Sequence, residues 1–115
     1  MAGSPELSTE AAELVADPDN EVYLSAASSW EIALKHSLGR LALPEPPDEF
    51  VPQMRQAHRI TPLAIDEEST LFLHRLPEYH KDPFDRMLVC QALVRDLVLL
   101  TPDRAIRQYP VKTRW

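Results

Sequence analysis

From Pro83 onward the chain reads "PFDRMLVCQALVRDLVLLT", a helical pattern over Pro83–Arg95 that runs almost directly into the uncharged segment Leu97–Thr101. A strand with no charged residue reads as buried on both faces, which is the habit of parallel sheets covered by helices. This one feature confines the chain to a narrow set of folds: an α/β domain with a parallel sheet and helices on both faces.

The rest of the sequence repeats the alternation. "LSTEAAELVADPDN" (Leu7–Asn20) predicts a short helix capped by Ser8 and closed by a turn. "EVYLSA" predicts a strand over Val22–Leu24, ending at Ser25. "SSWEIALKHSLGRL" follows as a helix, with Trp30, Ala33, Leu34 and Leu38 at helical spacing and Gly39 as its stop. After the proline-rich "ALPEPPDEF", Asp48 is placed to cap a helix over Glu49–Ala57. Arg59–Ile65 is a second extended segment, and Asp66 caps "EESTLFLHRL", whose Glu67 and Glu68 suit a helix N-terminus. "PDRAIRQY" predicts a helical turn and "VKTRW" a last strand. No repeat, low-complexity tract or linker interrupts the 115 residues, so residues 1–115 read as one domain.

Composition removes several function classes. Two glycines, Gly3 and Gly39, leave no glycine-rich phosphate loop. The single cysteine, Cys90, permits no internal disulfide and no cysteine-rich zinc site, and its apolar helical setting makes it a core residue. No apolar run approaches a membrane span, and the first residues carry no signal-peptide pattern. Two bases stand against ten acids in residues 1–50, and ten bases against eight acids in residues 51–115, for a net charge of −6. Such a chain is unsuited to coating nucleic acid, although an acidic metal pocket rimmed by arginines is compatible with it.

In an open α/β sheet, functional groups gather beyond the carboxyl ends of the strands. Glu31, Asp85 and Asp103 all fall there. Carboxylates brought together repel, and a hard divalent cation relieves the repulsion. Each acid also has a structural alternative. Asp82 before Pro83 is a helix cap, with Asp85 then in the first turn as a dipole partner. Glu31 is open to the same dipole role, and Asp103 to capping "RAIRQY". The four histidines, His36, His58, His74 and His80, are spaced so that no two share a helix face.

"SAASSWEIALKHSLGRLALP", "HKDPFDRMLVCQAL" and "LLTPDRAIRQYPVKTRW", in this order, resemble the PIN-domain family, specifically the VapC-type toxins of bacterial toxin–antitoxin pairs. The resemblance covers nearly all of residues 7–115. It implies a three-layer α/β/α fold with parallel strand order 3-2-1-4-5. It also implies an endoribonuclease dependent on Mg²⁺ or Mn²⁺, acting on RNA in the cytoplasm and restrained by a cognate antitoxin. By position, Glu31, Asp85 and Asp103 match the second, third and fourth acids of the family, which makes them the implied catalytic and metal-binding residues, with Asp82 the cap. Ser25 and Ser28 match small hydroxyl positions near the pocket. Arg86 and Arg104, beside the acids, are the implied RNA phosphate contacts, or else solvated helix-end arginines.

The family opens with an apolar strand ending in an acid, followed by a helix, and "MAGSPELSTEAAELV" resembles its second helix instead. A strand and a helix of roughly 20 residues are expected to be missing. The missing strand is the middle one of the sheet. Unpaired strand edges invite association, so a homodimer is expected, and the 115-residue chain is expected to have little or no ribonuclease activity. The alternative function is a catalytically dead PIN-like module that binds an antitoxin or a second copy of itself. A phospho-receiver-like domain is disfavoured, because it needs an early acid pair and a later lysine.

Overall fold

The computed structural model describes residues 8–115. Helix α1 (Thr9–Ala16) begins at Ser8, whose hydroxyl oxygen accepts the Ala11 N–H at 3.0 Å. Strand β1 (Val22–Ser25) passes without a loop into helix α2 (Ala26–Ser37). Ser25 makes that junction possible: its backbone is still extended while its hydroxyl oxygen accepts the Ala27 N–H at 3.0 Å. The helix therefore starts before the Ser28–Ser29 pair, and Glu31 lies beyond its first turn. The dipole role considered for Glu31 falls away, because that effect fades within one turn.

Helix α3 (Pro47–His58) starts one residue ahead of Asp48. Pro46 is the cap residue and Pro47 pre-sets the first helical φ, so Asp48 is a first-turn acid rather than the expected cap. Arg59, in the left-handed region at φ 56°, turns the chain into strand β2 (Ile60–Leu63). Asp66 caps helix α4 (Glu67–Leu71), accepting from the Ser69 N–H at 3.0 Å and the Ser69 hydroxyl at 2.8 Å. The single helix expected over "EESTLFLHRL" divides, its second half tightening into a 3₁₀ helix, Phe72–Arg75. Helix α5 (Pro83–Arg95) leads to strand β3 (Leu99–Leu100), a 3₁₀ turn (Ile106–Gln108) and strand β4 (Thr113–Arg114).

Among the described residues all pairing is parallel, as expected, but it forms two small sheets rather than one. β1 pairs with β2, Val22 opposite Ile60 through Ser25 opposite Leu63. β3 pairs with β4, Leu99 opposite Thr113 and Leu100 opposite Arg114. The segment Leu97–Thr101 was expected to be a fully buried strand. Only its Leu99–Leu100 core qualifies, both residues are half-buried, and Val98 is 51% exposed. The reason is a shortage of neighbours: among the described residues β3 has one strand partner, and the ladder amounts to Leu99 N–H on Lys112 O and Thr101 N–H on Arg114 O.

The core forms around α5 instead. Val89 and Cys90 are fully buried and pack with Leu76, Ile106 and Tyr109, flanked by Phe72, Leu73, Met87, Leu93, Leu99 and Val111. Burying each of the larger apolar side chains contributes roughly 1.5–3 kcal/mol. Gln91, 2% exposed, is the polar exception. Its carbonyl oxygen accepts the Ser25 hydroxyl and its Nε2 donates to the Ala64 carbonyl at 3.0 Å. One side chain thus fixes α5 against the carboxyl ends of both β1 and β2. No helix among the described residues is long and apolar enough to cross a membrane.

Candidate active site

The start of α5 separates two acids by task. Asp82 Oδ1 accepts the N–H groups of Phe84 at 2.8 Å and Asp85 at 3.1 Å, the capping role expected for it. With its backbone N–H satisfied in this way, Asp85 is free to turn its carboxylate elsewhere. Asp85 Oδ2 lies 2.9 Å from His80 Nε2. The same nitrogen lies 3.2 Å from Asp103 Oδ2. Asp103 is set by the loop after β3: its N–H donates to Thr101 Oγ1 at 3.1 Å, and its Oδ1 accepts the Ala105 N–H at 2.8 Å. One carboxylate oxygen therefore shapes the turn and the other faces the imidazole. Asp103 is not the cap of the 3₁₀ turn, which begins after Ala105.

His80 is itself anchored. Its backbone N–H donates to the Tyr109 hydroxyl at 3.1 Å, and Tyr109 is 3% exposed and packed against Tyr79. His80, Asp85 and Asp103 each offer a ligand atom within 4.8 Å of the others. The spacing of the histidines gave no reason to single out His80, because its partners are acids and not another histidine. The available signal was its place in "HKDPFD", where the Asp82 cap folds the preceding residues back over the mouth of the helix.

Glu31 stands close to this group but outside it. It is 4% exposed, and its Oε2 is 2.9 Å from Lys35 Nζ one helical turn away. The angle there is wrong for a hydrogen bond, and among the described residues that buried oxygen has no donor. Trp30 meets Phe84 edge to face with ring centroids 4.9 Å apart. This contact presses α2 on the start of α5 and brings the residues that follow, Glu31 and Asp85, toward each other. The proton affinity of Asp85 reflects this setting. Burial raises its pKa most, the Asp82 charge adds to the rise and Glu31 adds less, against the lowering effect of the His80 hydrogen bond.

The remaining residues expected at the site divide by environment. Ser25 and Ser28 are interior hydroxyls, and the bonds of Ser25 to Ala27 and Gln91 account for it structurally. Arg86 is partly buried, with Nη2 3.5 Å from the Leu76 carbonyl and Nε enclosed without a partner among the described residues, so it is not a solvated helix-end arginine. Arg104 is exposed beside Asp103. The donor set of carboxylate oxygens with one imidazole, next to a buried carboxylate oxygen lacking a donor, fits a divalent cation.

A family model described as "PIN domain" matches residues 2–112. Ribonuclease VapC16 of Mycobacterium tuberculosis is 42% identical over 57 residues, which is 50% of this chain and 40% of that protein. The chain thus matches less than half the length of that curated relative. No solved structure matches.

Proposed function

The chain belongs to the PIN-domain family, and from that premise we propose that it is a VapC-like, divalent-metal-dependent endoribonuclease that works in the cytoplasm and is restrained by a cognate antitoxin protein. The observation that carries the proposal is the meeting of Asp85 and Asp103, residues 18 positions apart in sequence (103 less 85), on a single imidazole nitrogen. Two separated elements bring partly buried carboxylates to one shared point, which is the arrangement of a site more than of an isolated surface ion pair. The similarity to a protein named as a ribonuclease supports the reaction class.

Asp85 and Asp103 would hold Mg²⁺ or Mn²⁺, with Glu31 at its flank. When bound, such an ion supplies an acidified water and offsets charge on the phosphodiester. The chain's own residues do the rest. Asp82 fixes the first turn of α5, and so the direction of the Asp85 carboxylate. Arg104 is placed to meet an RNA phosphate, and Arg86 braces the base of the site through Leu76.

The test is cleavage of a mixed single-stranded RNA with Mg²⁺, with Mn²⁺ and with EDTA. EDTA-sensitive cleavage lost in Asp85→Asn and in Asp103→Asn supports the proposal, against the expectation from sequence of little or no activity. Cleavage that survives both substitutions would remove the proposed site. A second reading is favoured by the Glu31–Lys35 ion pair, which already supplies the third acid with a cation in its own helix. It makes the chain a binding module without catalysis. Binding of an antitoxin with no cleavage under any metal would establish it.

A further inference from the structure

We propose that His80 is itself a ligand of this site through Nε2, and that the site consequently takes an imidazole-accepting transition ion such as Mn²⁺ in preference to Mg²⁺. The inference rests on the reading that Asp85 and Asp103 hold a divalent ion. It adds a nitrogen donor and a class of metal to that reading.

Three observations carry it. His80 Nε2 lies 2.9 Å from Asp85 Oδ2 and 3.2 Å from Asp103 Oδ2. Adjacent ligands of an octahedral ion bound at ~2.1 Å are about 3.0 Å apart, so both His80–carboxylate contacts stand near coordination spacing, and all three ligand atoms lie within 4.8 Å of one another. Tyr109 holds the His80 backbone from the core, which fixes where the side chain leaves the chain. Glu31, buried and paired with Lys35 in its own helix, still adds some negative potential at Asp85. With a proton on Nδ1, the Nε2 lone pair faces the carboxylates. Mg²⁺ favours an all-oxygen shell, whereas Mn²⁺, Co²⁺ and Zn²⁺ accept imidazole. His36 and His74 direct Nδ1 to local backbone carbonyls and do not compete for this place.

The experiment reads binding, not cleavage. Pulsed electron paramagnetic resonance of the Mn²⁺-loaded chain detects a directly bound nitrogen, and Mn²⁺ and Mg²⁺ affinities are measured on the wild type, His80→Gln, Asp85→Asn and Asp103→Asn. The expected result is a ¹⁴N coupling in the wild type that disappears in His80→Gln, with Mn²⁺ affinity falling on the order of 10- to 100-fold and Mg²⁺ affinity changing less than ~3-fold. One-to-one Mn²⁺ binding that needs Asp85 and Asp103 but shows no ¹⁴N coupling overturns the role of His80 and leaves the carboxylate site standing. A ¹⁴N coupling that persists in His80→Gln overturns it as well. Mn²⁺ binding unchanged in Asp85→Asn and Asp103→Asn overturns both the inference and the reading beneath it. An absent wild-type coupling overturns the role of His80 even where a variant folds poorly.

Discussion

The carboxylate oxygen of Asp82 accepts the backbone N–H of Asp85, while Asp85 sends its own carboxylate outward to His80. The first acid shapes the helix so that the second is spared from doing so. Replacing Asp82 with Ala should lower stability by about 1 kcal/mol, within the ~0.5–2 kcal/mol spanned by helix caps, whereas Asp82→Asn should cost only a few tenths of that scale. Urea denaturation with a common slope measures both. An equal loss for Ala and Asn would show that charge, and not capping, is what Asp82 contributes.

The pKa of Asp85 is raised, first by burial and then by Asp82. A carboxyl whose folded-state pKa exceeds its unfolded one stabilises the fold fully below the unfolded value and loses that contribution as pH rises through the folded value. Wild type and Asp85→Asn should therefore differ least in acid, and the variant should become the more stable of the two as pH rises toward neutral. Paired melting curves from pH 3 to 8 test this. A variant less stable than wild type at pH 7 would mean that the His80 bond outweighs the cost of burying the charge.

Gln91 joins Ser25 of β1 and the Ala64 carbonyl after β2 to α5. Gln91→Leu keeps the volume and strands the buried Ser25 hydroxyl together with the Ala64 carbonyl, so it should cost roughly 1–3 kcal/mol. Gln91→Leu with Ser25→Ala should be less destabilising than the sum of the two changes, because the hydroxyl is then no longer left without its acceptor. A strictly additive pair would refute the coupling.

Trp30, Leu34 and Leu38 follow one another at four-residue intervals on α2 and are 63%, 39% and 57% exposed. An apolar stripe of this kind suits a helix covered by another copy, in line with the expected homodimer. Light scattering at micromolar concentration should give a dimer for the wild type and a monomer for Leu34→Glu. A wild-type monomer would leave the stripe for another partner.

Element identities were legible because their local signals are strong: Ser8, Asp66 and Asp82 cap the helices they were expected to cap. Asp48 misled because two prolines preset the helix one residue earlier. The burial of Leu97–Thr101 misled for another reason. Hydropathy reports that a segment seeks cover, and the cover itself depends on neighbours elsewhere in the chain. Two of the three acids, Asp85 and Asp103, were found together as their positions after strands and at helix mouths imply, whereas Glu31 is ion-paired with Lys35 one turn along the same helix. His80 was hidden because its contact with the acids is made by the path of a loop, which has no periodicity to read.

The two parallel pairs have a mechanical consequence. Glu31 travels with β1 through α2, Asp103 travels with β3, and Asp85 belongs to the helix that touches both halves. An ion held by Asp85 and Asp103, with Glu31 at its flank, would then be a rivet across a seam. Loading it should quiet motion between the halves as well as resist heat, by about 2.7 kcal/mol at a free metal concentration one hundred times its Kd. Amide exchange along the outer edges of β1 and β3 is where that tightening would first be felt.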